Sequence, residues 1–283
     1  MQNIIDYIFE TGAIKIADEG KMFWYTSGNM GPFYVNTHFL YGSEEKAKDL
    51  LIKIDKEKEN KLTCPNILFK DIYENYMFDN IFKFTIDWLI ELIENNVNID
   101  EIDYISGGER RDWIFSLPIA KILNKPHITI FKDLNAVITD VNDITAECNE
   151  IPNGSKVLHI ADLITSASSY KRAWIPVIKR LGGKILWSAV IIDRLQSGRE
   201  YLESEDIVSL NLADVDGNLF KRATDEGYIS KEQANVAQNY ILNPDKTVEE
   251  FLIKYPSFIE DSLNGDSKSQ EKAELFIKNN MNK

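Results

Sequence analysis

Val157-Leu158-His159-Ile160-Ala161-Asp162-Leu163-Ile164-Thr165-Ser166-Ala167-Ser168-Ser169 is the stretch on which the reading of this chain turns. Val157 to Ile160 has the apolar run of a buried strand, and Asp162 to Ser169 reads as a polar loop whose hydroxyls open a helix. Small hydroxylated residues at a helix start leave backbone N–H groups free, and the helix dipole favours a phosphate there. Asp162 beside such a phosphate is placed to accept hydrogen bonds from sugar hydroxyls. A phosphate cradle next to a hydroxyl acceptor describes a ribose 5-phosphate site. Serine and threonine also cap helices generally, and a plain capping cluster accounts for the same residues equally well.

Working outward, Tyr170, Ala173, Trp174, Val177, Ile178 and Leu181 mark one helix face, with Pro176 predicted to bend the helix or mark a boundary. Gly182-Gly183 ends it, and Ile185 to Ile192 is an apolar strand. Upstream, the spacing predicts a helix over Phe78–Val97, a strand over Ile102–Ile105 running into a Gly107-Gly108 loop, a helix over Leu117–Leu123 stopped by Asn124-Lys125-Pro126, and a strand over His127–Phe131. Strands alternating with helices imply crossover units and a mainly parallel sheet covered by helices. Residues 132–154 are polar with few periodic apolars, which predicts a mobile functional loop. Residues from about 231 to 283 read as a charged helical appendage.

The 283 residues are 44% apolar and 27% charged, the profile of a globular chain, and carry a net charge of −13. Such acidity argues against nucleic acid or an anionic membrane surface as partner. No stretch approaches the roughly 18 uninterrupted apolar residues of a membrane span. The opening residues Met1 to Asp6 show no basic region followed by an apolar core, so a cytoplasmic protein is expected. Cys64 and Cys148 lack zinc-site spacing, and His38, His127 and His159 are isolated, so no metal held by protein side chains is expected. His159, on an apparent buried strand, reads as a hydrogen-bonded core histidine, and Cys148 has no basic neighbour to activate it. Lys171, Arg172, Lys179, Arg180 and Lys184 read as a solvated cationic face.

Residues Val157 to Ser169 resemble the 5-phosphoribosyl 1-diphosphate (PRPP) motif of type I phosphoribosyltransferases. Phe9-Glu10-Thr11-Gly12-Ala13-Ile14, Ser27-Gly28 and Gly31-Pro32-Phe33-Tyr34-Val35-Asn36 are similar to the N-terminal hood of orotate phosphoribosyltransferases, and Asp193 to Arg199 to the segment with which that family binds the base. These segments keep family order over about residues 5–200.

The resemblance implies the type I phosphoribosyltransferase fold, an α/β fold with a mainly parallel sheet, flanking helices and a small hood. It places the transferase domain at 1–230, with the hood at about 1–42, the mobile loop at about 132–154 and a C-terminal helical extension at 231–283. It implies transfer of ribose 5-phosphate from PRPP to a nucleobase, orotate first among them, with release of pyrophosphate. Mg²⁺ would be bound mainly through PRPP, and a homodimer is implied. Thr165, Ser166, Ala167, Ser168 and Ser169 would hold the 5-phosphate and Asp162 the ribose. Gly108, Arg110 and Arg111, with Lys132, would serve the diphosphate, and Arg194, Phe33 and Tyr34 the base. For Arg194 the alternative is an ion pair with Asp193 or Glu200. For Phe33 and Tyr34 it is core packing, and for the two arginines pairing with Glu109 and Asp112.

The pattern also breaks. The first acidic residue of the motif is Ala161, and the loop glycine is Ala167, strained if the backbone there takes a positive φ. Hood positions that are basic in the family are Thr26 and Asn29. In the catalytic loop only Lys132 survives, next to Asn135, and Asp140, Asp143, Glu147 and Glu150 follow with no base before Lys156. Two unit charges at 4 Å interact by about 1 kcal/mol in water and about 4 kcal/mol at an effective dielectric of 20, so an acidic loop closing on a polyanion repels unless compensated. A catalytically impaired homologue that binds PRPP or a nucleotide as a sensor or partner module is therefore the alternative reading.

Overall fold

Apolar runs in the middle of the chain assemble the main sheet of the computed structural model, which describes residues 3–280. In chain order the strands are β1 (Ile14–Ile16), β2 (Phe23–Trp24), β3 (Met30–Gly31), β4 (Phe33–Val35), β5 (Tyr104–Gly108), β6 (His127–Ile130), β7 (Ala136–Thr139), β8 (Thr145–Glu147), β9 (Lys156–Ile164), β10 (Lys184–Asp193) and β11 (Val208–Asp214). The seven-stranded sheet runs β11-β10-β9-β5-β6-β7-β8. Its first five strands are parallel, and β7 and β8 add antiparallel at the far edge.

Helix Asp112–Ile122 carries the chain from β5 to β6, and a π-helical turn, Tyr170–Trp174, runs into helix Ile175–Leu181 between β9 and β10. Pro176 stands in the first turn of that helix, so it marks the boundary foreseen for it. Helix Asn80–Asn96 begins at Asp79, whose side chain accepts the Phe82 N–H, and packs on β10 and β11. Trp113, Phe115, Ile105, Ile160 and Ile178 are completely buried at the centre.

Three elements differ from the sequence reading for identifiable reasons. Strand β9 continues to Ile164, so Ala161 and Asp162 lie on the strand and not in the loop. Strand β5 likewise includes Gly107 and Gly108. A Cβ on Gly107 would meet Ser116 Oγ at 2.1 Å, and one on Gly108 would meet the Trp174 ring at 2.1 Å. The absent side chains therefore let a helix and an indole lie directly on the strand. Residues 132–154, expected as a patternless loop, contain the mostly buried β7 and the more exposed β8, which forms the sheet edge.

The chain divides into two compact units, the described residues up to Thr11 with Thr37–Val215, and Gly12–Asn36 with the described residues from Asp216 onward. The boundary drawn from the sequence at 230 thus differs from this one, and the segment read as an appendage belongs with residues of the hood. In the second unit β1 pairs β4 and β2 pairs β3, both antiparallel. Hairpins this short cannot bury their own rings. Trp24 stacks on Phe258 at 5.6 Å and donates its indole N–H to Ser262 Oγ, while Phe33 lies against Phe220 at 5.5 Å and Tyr240 at 5.9 Å. Among the described residues no helix is long and apolar enough to cross a membrane. Gly108→Ala is expected to cost roughly 1–3 kcal/mol by overpacking against Trp174, read as a lower urea midpoint at unchanged slope.

Candidate active site

Because β5 and β9 are parallel neighbours, both deliver their carboxyl ends to one place, and a cavity of about 340 Å³ opens there. It is lined by Arg110, Arg111, Asp112, Asp162, Thr165 and Ser168 among others. Asp112, at the start of its helix, accepts the Gly108 N–H on Oδ2 and the Asp162 N–H on Oδ1, each at 3.1 Å. Asp162 Oδ1 accepts the Leu163 N–H at 2.8 Å, while Oδ2 is buried with no partner among the described residues. Burial, then the Asp112 charge, pushes the Asp162 carboxyl up to about 7 against the opposing pull of Arg111. Behind the pair, His159 is fully buried, bonds Ser106 Oγ at 2.9 Å and stacks on Trp174, the core role read for it.

The loop after β9 turns through Ala167 at φ 55°, the left-handed backbone that favours glycine. Among the described residues the N–H groups of Ser166, Ala167 and Ser168 donate to nothing. The capping alternative is not what forms, since Ser169 at the helix start makes no side-chain cap bond. Ser166 and Ser168 are exposed, and Thr165 and Ser169 are half-buried.

The loop after β5 separates the two arginines that the sequence left unranked. Arg110, preceded by a cis peptide bond, is ion-paired with Asp55 on helix Glu44–Glu57. Arg111 makes no ion pair among the described residues, and its charge acts on both Asp162 and His38. Glu109 pairs instead with Lys58 at 3.0 Å and accepts the Lys132 N–H at 2.9 Å, so the loop is tied to the start of the 132–154 segment. Gly108, named for the diphosphate, spends its N–H on Asp112. Two acids of that segment are neutralised locally, Asp133 by Lys61 and Asp143 by Lys121.

Sequence reasoning gave no site role to Asp112, Lys58, Thr37 or His38. The last two are buried, with Thr37 Oγ1 and His38 Nδ1 unpartnered among the described residues. Burial and the guanidinium groups of Arg111 and Arg110 hold the His38 imidazole down at about 3. Nothing local in Asn36-Thr37-His38-Phe39 signals this; only the fold brings His38 near the arginines.

No family model matches the chain. Adenine phosphoribosyltransferase of Halothermothrix orenii is 31% identical over 155 residues, which cover 51% of this chain and 88% of that protein. This chain belongs to the type I phosphoribosyltransferase family. The adenine phosphoribosyltransferase of Escherichia coli O157:H7 is 27% identical over 165 residues, 54% of this chain and 87% of that protein. Among solved structures, UMP synthase of Leishmania donovani superposes with a TM-score of 0.57 at 13% identity, covering 84% of this chain and 41% of that one. The orotate phosphoribosyltransferase of Francisella tularensis gives 0.52 at 14% identity, covering 85% and 96%. The sheet and its flanking helices are the type I phosphoribosyltransferase fold.

Within this phosphoribosyltransferase the residues named for the base fall in different settings. Arg194 donates its N–H to Ile164 O at 3.0 Å, and its buried Nε has no partner among the described residues. The ion pair suggested for it forms elsewhere, since Asp193 is held by Arg199 at 2.9 Å, which also reaches Asp214 at 2.6 Å. Phe33 is buried in its aromatic cluster, and the Tyr34 hydroxyl donates to Trp24 O with its ring on Phe23 and Tyr25, so packing accounts for both within the second unit.

Replacing Ala167 by Gly is expected to raise stability by up to about 1 kcal/mol, because relief of the left-handed backbone outweighs the looser unfolded chain; the urea midpoint reads it. The Asp162 carboxyl makes a second expectation. Its folded value near 7 lies above the ordinary 3.8, so the folded chain keeps a proton that the unfolded chain releases. Its contribution to stability is full below pH 3.8 and is lost as pH rises through about 7. The stability difference between the native protein and Asp162→Asn should therefore fall across that window, measured as unfolding free energy against pH.

Proposed function

We propose that this chain transfers ribose 5-phosphate from PRPP to a nucleobase. The observation that carries this reading is the buried, unpartnered Oδ2 of Asp162 beside a turn of free N–H groups and hydroxyls at one cavity. In the reaction the bond from the anomeric carbon to the diphosphate breaks, and a ring nitrogen of the base bonds to that carbon. The leaving diphosphate gathers negative charge as the sugar becomes cationic, so donors aimed at it lower the barrier. The 5-phosphate takes the amides and alcohols of residues 165–169, Asp162 takes a ribose hydroxyl, and Arg111, Arg110 and Lys132 meet the diphosphate.

Among the described residues no three His, Cys, Asp or Glu side chains gather to hold a metal ion. The cavity sets Arg110 and Arg111 among the carboxylates of Glu109, Asp112 and Asp162, a mixed lining that fits a Mg²⁺ arriving on PRPP and offsetting the diphosphate charge.

For the acceptor, the unpaired Arg194 suits a carboxylated base such as orotate through a bidentate contact. Adenine is the second reading, favoured by the 31% identity to an adenine phosphoribosyltransferase. Pyrophosphate release from PRPP and Mg²⁺ over a panel of bases tests both. Release with orotate, lost in Arg194→Ala, supports the first, and release with adenine alone replaces it with the second. Arg111→Ala should lower kcat/KM by on the order of 100-fold. Tight PRPP binding without release from any base would make the chain a sensor or partner module, and absence of binding would end the phosphoribosyl reading.

A further inference from the structure

We infer that Asp112 supplies the second carboxylate of the ribose site, the one missing at Ala161. The inference rests on the phosphoribosyl reading of the cavity and names a residue of that same site. Position 161 offers a methyl group at the end of β9, leaving Asp162 as the strand's one acid there. Asp112 comes to that end from the neighbouring crossover, lines the same cavity and touches the Asp162 backbone at 3.1 Å.

Two features argue for a ligand role over a purely structural tie. Each Asp112 oxygen accepts one backbone N–H and keeps a further lone pair, so the carboxylate can bind its two amides and a hydroxyl at once. The Asp112 charge also opposes ionisation of the buried Asp162 carboxyl beside it, a cost that a structural tie alone leaves without return. Costly like-charge pairs of this kind concentrate at functional sites. Independently, Asp162 Oδ2 is 92% buried by residue (8% exposed), unpartnered and at the cavity wall, and His159 Nε2, 3.8 Å from Asp112 Oδ2, is also unpartnered among the described residues. A sugar diol brings two donors to such a pair.

The test is sugar discrimination by the full chain. Affinities for ribose 5-phosphate and its 2-deoxy and 3-deoxy analogues are measured by calorimetry on the native protein, Asp112→Asn and Asp112→Ser. A hydroxyl bonded to a charged acceptor is worth about tenfold to a hundredfold in affinity. The native protein should show that preference over at least one deoxy analogue. In the variants the preference should collapse toward unity, because the native sugar loses more affinity than that analogue does. Ala161→Asp added to Asp112→Asn should restore it. Equal weakening of all three sugars, or an unchanged preference in either folded variant, overturns the role of Asp112 and leaves the phosphoribosyl reading standing. Failure of both variants to fold also overturns it, because the carboxylate would then be a structural tie. A native protein that binds none of the three sugars and no PRPP overturns both.

Discussion

One carboxylate, that of Asp112, joins the two strands that make the site. By accepting the Gly108 and Asp162 amides it ties the ends of β5 and β9 at the opening of a helix, where its charge is favoured by the helix dipole. The rest of the cavity follows from that tie. Gly108 lies flat enough for Trp174 to cover it, Trp174 stacks on His159, and His159 bonds Ser106 on the neighbouring strand. The loop carrying the arginines and the loop carrying the hydroxyls then leave the sheet side by side. Residues of both loops line the one cavity.

Strands at the centre of the sheet were readable because both of their faces are buried. Val157 to Ile160 and Ile185 to Ile192 are apolar runs broken only by His159 and Ser188, and near-continuous runs of this kind belong to parallel sheets. Edges were not readable for the complementary reason. Val208 on β11 is half exposed, and β8 is Thr145-Ala146-Glu147, so pairing with one neighbour decides their conformation and composition does not announce it. The helix Asp112–Ile122 begins five residues before the expected Leu117, because its first turns are buried on every side and show no amphipathic period.

The site divides the same way. Asp162, the hydroxyl run and the two arginines were legible because each sits in a contiguous segment with a chemical pattern. Asp112 was legible only as a partner for its neighbouring arginines, a bond that does not form. Arg110 turns to Asp55 and Glu109 to Lys58, partners about fifty residues away on helix Glu44–Glu57 and at its C-terminal cap, and the apolar pattern did not reveal that helix. Ala167 takes a φ of 55°, the condition under which its methyl group strains the turn.

The second unit has a consequence for the order in which the molecule is made. Its hairpins are translated well ahead of the aromatic partners of Trp24 and Phe33, which arrive some 190 to 250 residues later. While the ribosome is still working, those rings have nothing to rest against, and the central sheet can mature long before they do. Closure across so much intervening chain makes assembly of this unit the late, slow event of biogenesis.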